Sequence, residues 1–193
     1  MDYSITNWIF NTFGKSKFFA VLFKIITLFG EWWAICLIVS ALLMFKKTRK
    51  IGIYAGITCL IAFCFNNYFL KEIVKRARPL TSHLEFAGVC ELAGYEIPTD
   101  YSMASGHSTV SMALAASVFM HSKKAGLYVL PFPILIGTSR LVLCVHYLSD
   151  VLTGFGIGIC FAAGLFYLIN FVKNLYLKRK GEVYEKVNSS NKK

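Results

Sequence analysis

Apolar positions along the chain fall in long runs separated by short polar turns, and the lengths of the runs set the first expectation. Residues 32–45, Trp-Trp-Ala-Ile-Cys-Leu-Ile-Val-Ser-Ala-Leu-Leu-Met-Phe, are apolar almost throughout. Extended back toward Ile25, a helix there reaches the ~20 residues that a bilayer requires. Further runs at 51–70, 105–120, 125–138 and 151–172 complete five predicted membrane spans, with Pro131 and Pro133 expected to kink or shorten the fourth. Residues 5–30 follow another pattern. Ile5, Trp8, Ile9, Phe13 and most of 18–29 are apolar, but Lys15, Lys17 and Lys24 interrupt them. That pattern suits a tilted amphipathic helix in the interface, or a sixth span. The prediction is an all-α, polytopic membrane bundle. A single domain, 1–172, comprises an amphipathic segment 1–30 and a core 31–172, and a basic cytoplasmic tail, 173–193, polar and mobile, follows it.

Composition agrees and charge adds an orientation. The chain has 193 residues, 56% of them hydrophobic, with mean hydropathy +0.56, which leaves no room for a second domain. The net charge of +11 lies largely between and after the apolar runs. It therefore reads as topology signal and contact with anionic lipid, with no nucleic-acid partner. Lys46-Lys47-Thr48-Arg49-Lys50, His121-Ser122-Lys123-Lys124 and the tail with Lys173, Lys178, Arg179 and Lys180 agree on a cytoplasmic side, which puts the polar segment 71–104 outside. Of six cysteines, Cys36, Cys59, Cys64, Cys144 and Cys160 lie in apolar stretches and only Cys90 in a polar one, so neither a disulfide framework nor a zinc site is indicated. Met1-Asp2-Tyr3-Ser4 lacks the basic start and cleavage site of a signal peptide, and the chain reads as unprocessed.

With that topology every concentrated polar feature falls on the outer side. Lys71, Lys75, Arg76 and Arg78 crowd into eight residues where the positive-inside bias should have depleted them. If the helix continues to Pro79, then Lys71, Lys75 and Arg78 share a face suited to a multiply charged anion. A collar touching lipid headgroups is the plainer reading, weightiest for Lys75 and Arg76. Before the span at 105–120 stand Ser105, Gly106 and His107, where helix N-terminal amides favour an anion and a histidine titrating near neutrality suits proton transfer to a leaving alkoxide. An ordinary N-cap is the plain alternative. Finally Arg140, His146 and Asp150 interrupt an apolar run. Ionisable groups in such a run mark a functional site by default, against the alternative of a solvated helix end. On a helix, the four-residue spacing of His146 and Asp150 lets a carboxylate hold one imidazole nitrogen and leaves the other as a nucleophile. Asp100 and Glu91 stand apart and Asp150 is engaged, so no magnesium site is expected, and no cofactor.

Taken together, these stretches resemble the type 2 phosphatidic acid phosphatase superfamily, whose motifs are Lys-x6-Arg-Pro, Pro-Ser-Gly-His and Ser-Arg-x5-His-x3-Asp. Lys71 to Arg78-Pro79 matches the first, Ala104-Ser105-Gly106-His107 the second in three of four places, and Ser139-Arg140 through His146 to Asp150 the third. Ala104 replaces a proline that shapes the turn into the helix. The resemblance implies a bundle, usually of six membrane helices, with its site at the outer face of a bacterial cytoplasmic membrane. It implies that His146 attacks phosphorus, Asp150 orients it, and His107 protonates the leaving oxygen before activating water. Lys71, Arg78, Ser105, Gly106 and Arg140 would hold the phosphate oxygens, and three cations would do the work of a metal ion. The implied substrate is a membrane lipid phosphate or diphosphate, such as phosphatidic acid, phosphatidylglycerophosphate, undecaprenyl diphosphate or a lipid A phosphate.

Other classes stay open. Glucose-6-phosphatase-like enzymes share the motifs and act on a soluble ester. Vanadate-dependent haloperoxidases share them too, but are soluble. A small transporter would place its charges near mid-span or in two related halves, and no internal repeat is visible. Gly154, Gly156 and Gly158 read as helix-packing contacts. Neither the particular lipid nor the oligomeric state follows from the residues.

Overall fold

The computed structural model describes residues 1–190, with side chains as far as Lys180, and every regular element among them is helical. Helix α1 (Asp2–Ile9) widens into a π turn at Phe10–Gly14 and leads to α2 (Lys17–Leu28) and α3 (Trp32–Met44). Past the first basic turn, α4 (Arg49–Cys64) widens at Phe65–Leu70 and ends in the short α5 (Lys71–Val74). Two more short helices, α6 (Pro79–Ser82) and α7 (Ala87–Ala93), precede α8 (Gly106–His121), α9 (Lys123–Val129), α10 (Pro131–Val142) and α11 (Leu148–Ser190).

Helix α8 is the axis of the bundle, buried continuously from Ser108 to Val118 and packed against α4, α10 and α11. Its run of Ser, Thr and Ala lets neighbouring backbones come close. Along α11, a Cβ on Gly154 would stand 2.9 Å from the Ser105 carbonyl oxygen, and one on Gly158 would stand 2.6 Å from that of Thr109. Those two glycines are packing contacts as expected, whereas Gly156 has nothing within 4 Å. Helix α11 turns Leu152, Ile159 and Leu168 outward, as a lipid-facing helix does.

Among the described residues, three stretches are long and apolar enough to cross a membrane: Arg49–Ser82, Lys123–Val142 and Leu148–Lys180. A fourth is added if α2 and α3, bent by 46°, form one broken span. Two physical differences separate this from the five runs read in the sequence. The run at 105–120 is a helix of 16 residues, about 24 Å long at ~1.5 Å per residue, enclosed by other helices rather than facing lipid. The run beginning near Ile25 is interrupted at Phe29–Glu31, where the chain bends.

Other segments are more ordered than their polarity suggested. Helix α2 packs on α7 and α10 with Ala20 and Thr27 fully buried, while Phe18 and Ile25 stay exposed. Segment 71–104 carries three short α-helices and a 3-10 turn at Leu84–Phe86, and Phe86, Val89 and Cys90 pack with Leu143 and Val145. At Leu130 the helix is interrupted for one residue: α9 ends at Val129 and Pro131 opens α10, where its missing amide costs nothing, and Lys123–Val142 still runs as one span. Helix α11 continues to Ser190, so the segment after 172 is helical as far as it is described, and residues 191–193 of the expected tail lie outside the described residues. Lys50 and His121, from two of the basic turns, line one crevice with Tyr54 and Asn170. The motif residues gather at the opposite end of α4, α8 and α11.

Candidate active site

The first motif is shaped by a helix that stops early. Lys75 adopts a left-handed conformation, φ 48°, and ends α5 at Val74. The expected common face of Lys71, Lys75 and Arg78 therefore does not exist, and Lys75 is exposed. The break instead sends the neighbouring arginines to different partners. Lys71 and Arg78, both buried, converge on Asp100: Lys71 is ion-paired to one carboxylate oxygen, and Arg78 Nη2 donates to the other at 2.6 Å. Arg76, for which a headgroup collar was the plainer alternative, donates at 2.6 Å to Asp150 and at 2.7 Å to Asp2. Burial would raise the Asp100 carboxyl, but the Lys71 hydrogen bond and the Arg78 charge outweigh it and hold it down to about 2.

The second motif sits on a turn pinned from three sides. The Ser102 amide donates to the Arg76 carbonyl at 2.8 Å, the buried Asn66 Nδ2 to the Ala104 carbonyl at 3.1 Å, and the Ser105 amide to the Asp150 carbonyl at 3.1 Å. These bonds tie down the turn that the family's proline would stiffen. Ser105 also caps α8, its Oγ accepting from the Ser108 amide at 3.4 Å and from Ser108 Oγ at 3.0 Å. Capping and anion binding are compatible there, because the amides of Gly106 and His107 head the helix without intrahelical acceptors. The His107 ring is mostly buried, and its Nε2 lies 3.2 Å from a Glu31 carboxylate oxygen without hydrogen-bond alignment.

The third motif spans the end of α10 and the start of α11. Arg140 is buried, and its Nη1 donates to Thr27 Oγ1 and to the Tyr95 hydroxyl, each at 2.8 Å, while its Nε is buried without a partner. His146 is not helical: it lies in the turn before α11, and Asp150 sits in that helix's first turn. The four-residue spacing still joins them, across a helix start rather than along a helix face. Asp150 Oδ2 accepts from the Tyr147 amide at 2.8 Å and from Ser102 Oγ at 2.5 Å. Ser102 Oγ lies 3.4 Å from His146 Nδ1, closer than the 3.8 Å between that nitrogen and Asp150.

These distances fix the tautomer of His146. Arg78 Nη1 lies 3.1 Å from His146 Nε2, and a guanidinium can only donate, so Nε2 carries the lone pair and Nδ1 the proton. The chain of donors runs from Nδ1–H to Ser102 Oγ and from Ser102 O–H to Asp150. Burial, followed by the charge of Arg78, pushes the imidazole well below the usual histidine range and keeps it neutral. The result is an unprotonated nitrogen among buried cations.

The structure thus gathers Lys71, Arg78, Ser105, Gly106, His107, Arg140, His146 and Asp150 at one end of the bundle. Reading the sequence missed Ser102, the inward role of Arg76, and Glu31. Glu31 had a signal: it is the only acidic residue between Asp2 and Glu72, set in an apolar run.

Residues 50–173 match the sequence model of the PAP2 superfamily. The chain belongs to that superfamily. It is 32% identical to an undecaprenyl-diphosphatase of Sulfolobus acidocaldarius over 63% of this chain and 56% of the relative. To undecaprenyl-diphosphatase BcrC of Bacillus subtilis it is 30% identical over 62% of this chain and 59% of that one. To phosphatidylglycerophosphatase B of the same organism it is 28% identical over 70% and 64%. The chain thus spans less than two thirds of the length of the curated relatives it matches. The crystal structure of a transmembrane PAP2-type phosphatidylglycerolphosphate phosphatase from Bacillus subtilis superposes with TM-score 0.65 at 22% identity, over 90% of this chain and 84% of that one. That similarity shows a common fold.

Proposed function

We propose that the protein is an integral membrane phosphatase that hydrolyses a lipid phosphate or diphosphate through a phosphohistidine on His146, without a metal ion. The observation that carries this reading is the neutral Nε2 of His146 facing Arg78, with Lys71 and Arg140 buried nearby. Phosphoryl transfer depends mainly on alignment and on charge stabilisation at the equatorial oxygens, and three buried cations plus the α8 amides can supply both. A buried donor without a partner costs about 1–3 kcal/mol, and a phosphate oxygen is an acceptor suited to Arg140 Nε.

In this mechanism Nε2 attacks phosphorus as the bond to the leaving oxygen breaks, and the Nδ1 proton is held by Ser102 and Asp150. His107 protonates the departing oxygen. The same ring then takes a proton from the water that cleaves the N–P bond, which regenerates His146 and releases phosphate. A cleft of about 280 Å³ leads from His107 past Gly30, Trp32, Phe63 and Val110, with the Trp32 and Phe63 rings stacked at 4.4 Å. An apolar wall beside the leaving-group side suits a lipid, and relatives named for undecaprenyl diphosphate and phosphatidylglycerophosphate support that class.

The test is phosphate release in detergent from phosphatidic acid, phosphatidylglycerophosphate, undecaprenyl diphosphate and glucose 6-phosphate. Release from at least one lipid is expected, unchanged by EDTA and inhibited by vanadate. Release from glucose 6-phosphate alone would move the substrate out of the membrane, and activity lost to EDTA and restored by magnesium would defeat the mechanism.

The basic turns support a site on the outer face. A cysteine introduced at the exposed Ser82, in a chain lacking native cysteines, should react with an impermeant thiol reagent in intact cells, whereas one at Lys47 should not. Labelling at Lys47 alone would invert the orientation.

A further inference from the structure

We propose that Glu31 belongs to the active site as the positioning residue of His107, its carboxylate balancing the charge of the ring during proton transfer; this rests on the phosphatase reading. Glu31 lies outside the stretch that matches the family model, at the bend between α2 and α3. That bend is fitted to the site at three positions. Thr27, in the last turn of α2, accepts from Arg140 at 2.8 Å. Gly30 packs so closely that a Cβ there would stand 2.7 Å from Ile136 Cγ2 and 3.0 Å from His107 Cδ2. Glu31 then places its carboxylate 3.2 Å from His107 Nε2. A straight helix would carry residue 31 past the site, and a larger residue at position 30 would hold the bend away from it. Glu31 also borders both the cleft with Trp32 and Phe63 and the wider polar opening with Tyr95 and Asp100.

The chemistry gives this carboxylate a task. A histidine that protonates a leaving oxygen must begin as imidazolium, a form that burial first and then the charges of Arg140 and Lys71 oppose at this position. The carboxylate beside Nε2 supports it. The protons balance without any change in Glu31. The imidazolium gives one proton to the leaving oxygen as the P–O bond breaks and the N–P bond to His146 forms, and the neutral ring recovers one from the attacking water. Glu31 stays ionised throughout. It acts through His107 and forms no bond to substrate.

This assignment predicts an effect that depends on the leaving group. Glu31→Gln keeps the shape and removes the charge. With the lipid phosphate that the wild type hydrolyses best, kcat/KM, which reports steps up to departure of the leaving group, should fall on the order of 10–100-fold, part of what general acid catalysis supplies. With p-nitrophenyl phosphate, whose leaving group needs no proton, the fall should be no more than about threefold. Glu31→Asp should recover part of the loss, and Glu31→Gln should cost nothing further in a His107→Ala background. An equal fall on both substrates would make Glu31 an architectural residue of the bend. No fall on either, or a full further loss in His107→Ala, would remove it from the proton path. A wild type inactive on every phosphate ester would instead defeat the phosphatase reading beneath it.

Discussion

His146→Ala abolishes turnover and leaves no phosphoenzyme, whereas His107→Ala blocks turnover and accumulates one; these are the expected results of a rapid-quench experiment with ³²P-labelled p-nitrophenyl phosphate, held alkaline after the quench. Loss of the attacking nitrogen should cost on the order of 10⁴-fold or more, because cations and amides without a nucleophile have nothing to transfer to. Loss of an acid and base is worth ~10²–10⁴-fold. With a good leaving group most of that falls on hydrolysis, which lacks its base, so the label persists. The geometry also sets the pH range. His146 lies in the turn before α11, buried against Arg78, with its imidazole held below the usual range near 6.5. A depressed histidine is neutral above its own folded value and becomes protonated only as the pH falls through it. Labelling should therefore continue below pH 6.5, where an unperturbed imidazole would already be half protonated. Label surviving in His146→Ala, or mapping to His107, would reverse the assignment, and labelling lost on acidification above pH 6.5 would contradict the placement of Arg78 against Nε2.

Much of this site was legible because its motifs fix residue types at set offsets, and the offsets survive even where the assumed local structure does not. His146 and Asp150 were read as one helical face, yet they meet across a helix start, because an aspartate in the first turn can cap backward onto the preceding residues. Lys71 and Arg78 would be neighbours on a helical face only if the helix continued to Pro79. They meet because the helix breaks at Lys75, whose left-handed conformation is one that lysine rarely takes and no pattern announces. Contacts between distant segments were less accessible. Arg76 resembled an interfacial cation until Asp2 and Asp150 were seen on either side of it, and Glu31 reaches His107 through a bend that apolar composition hides. Apolar composition also does not tell an enclosed helix such as α8 from a lipid-facing one. The end with Lys50 and His121 was clearer, because charge on short loops is a local signal.

Asp150 should be the residue where stability and activity are most entangled, and a double-mutant cycle with Arg76 should separate them. Its carboxylate is fully buried and accepts from Ser102 Oγ, the Tyr147 amide and Arg76 Nη1, at 2.5, 2.8 and 2.6 Å. Arg76 in turn reaches Asp2 at 2.7 Å and stacks over Tyr147 at 4.2 Å. Breaking a fully buried pair by removing one partner costs about 3–5 kcal/mol, and this pair, with Arg76 only part-buried, should cost less but still a good share of the ~5–15 kcal/mol that holds a typical domain together. Asp150→Ala therefore risks the fold, and Asp150→Asn is the informative change. It keeps the volume but loses the charge, and it turns one of the two oxygens into a donor facing donors. Activity should fall on the order of 10³–10⁴-fold, as expected where a carboxylate sets the tautomer of a catalytic imidazole, and the melting temperature should fall with it. Arg76→Met leaves Asp150 its two other donors. It should lower the melting temperature comparably while retaining more activity, since Ser102 still joins the carboxylate to His146. In the double variant neither charge remains without its partner, so the stability losses should sum to at least ~1 kcal/mol less than the two singles, while activity stays at the Asp150→Asn level. Strictly additive stability losses would show that the two residues do not act as a pair, and an Asp150→Asn variant with near-native turnover would show that Ser102 alone orients the nucleophile.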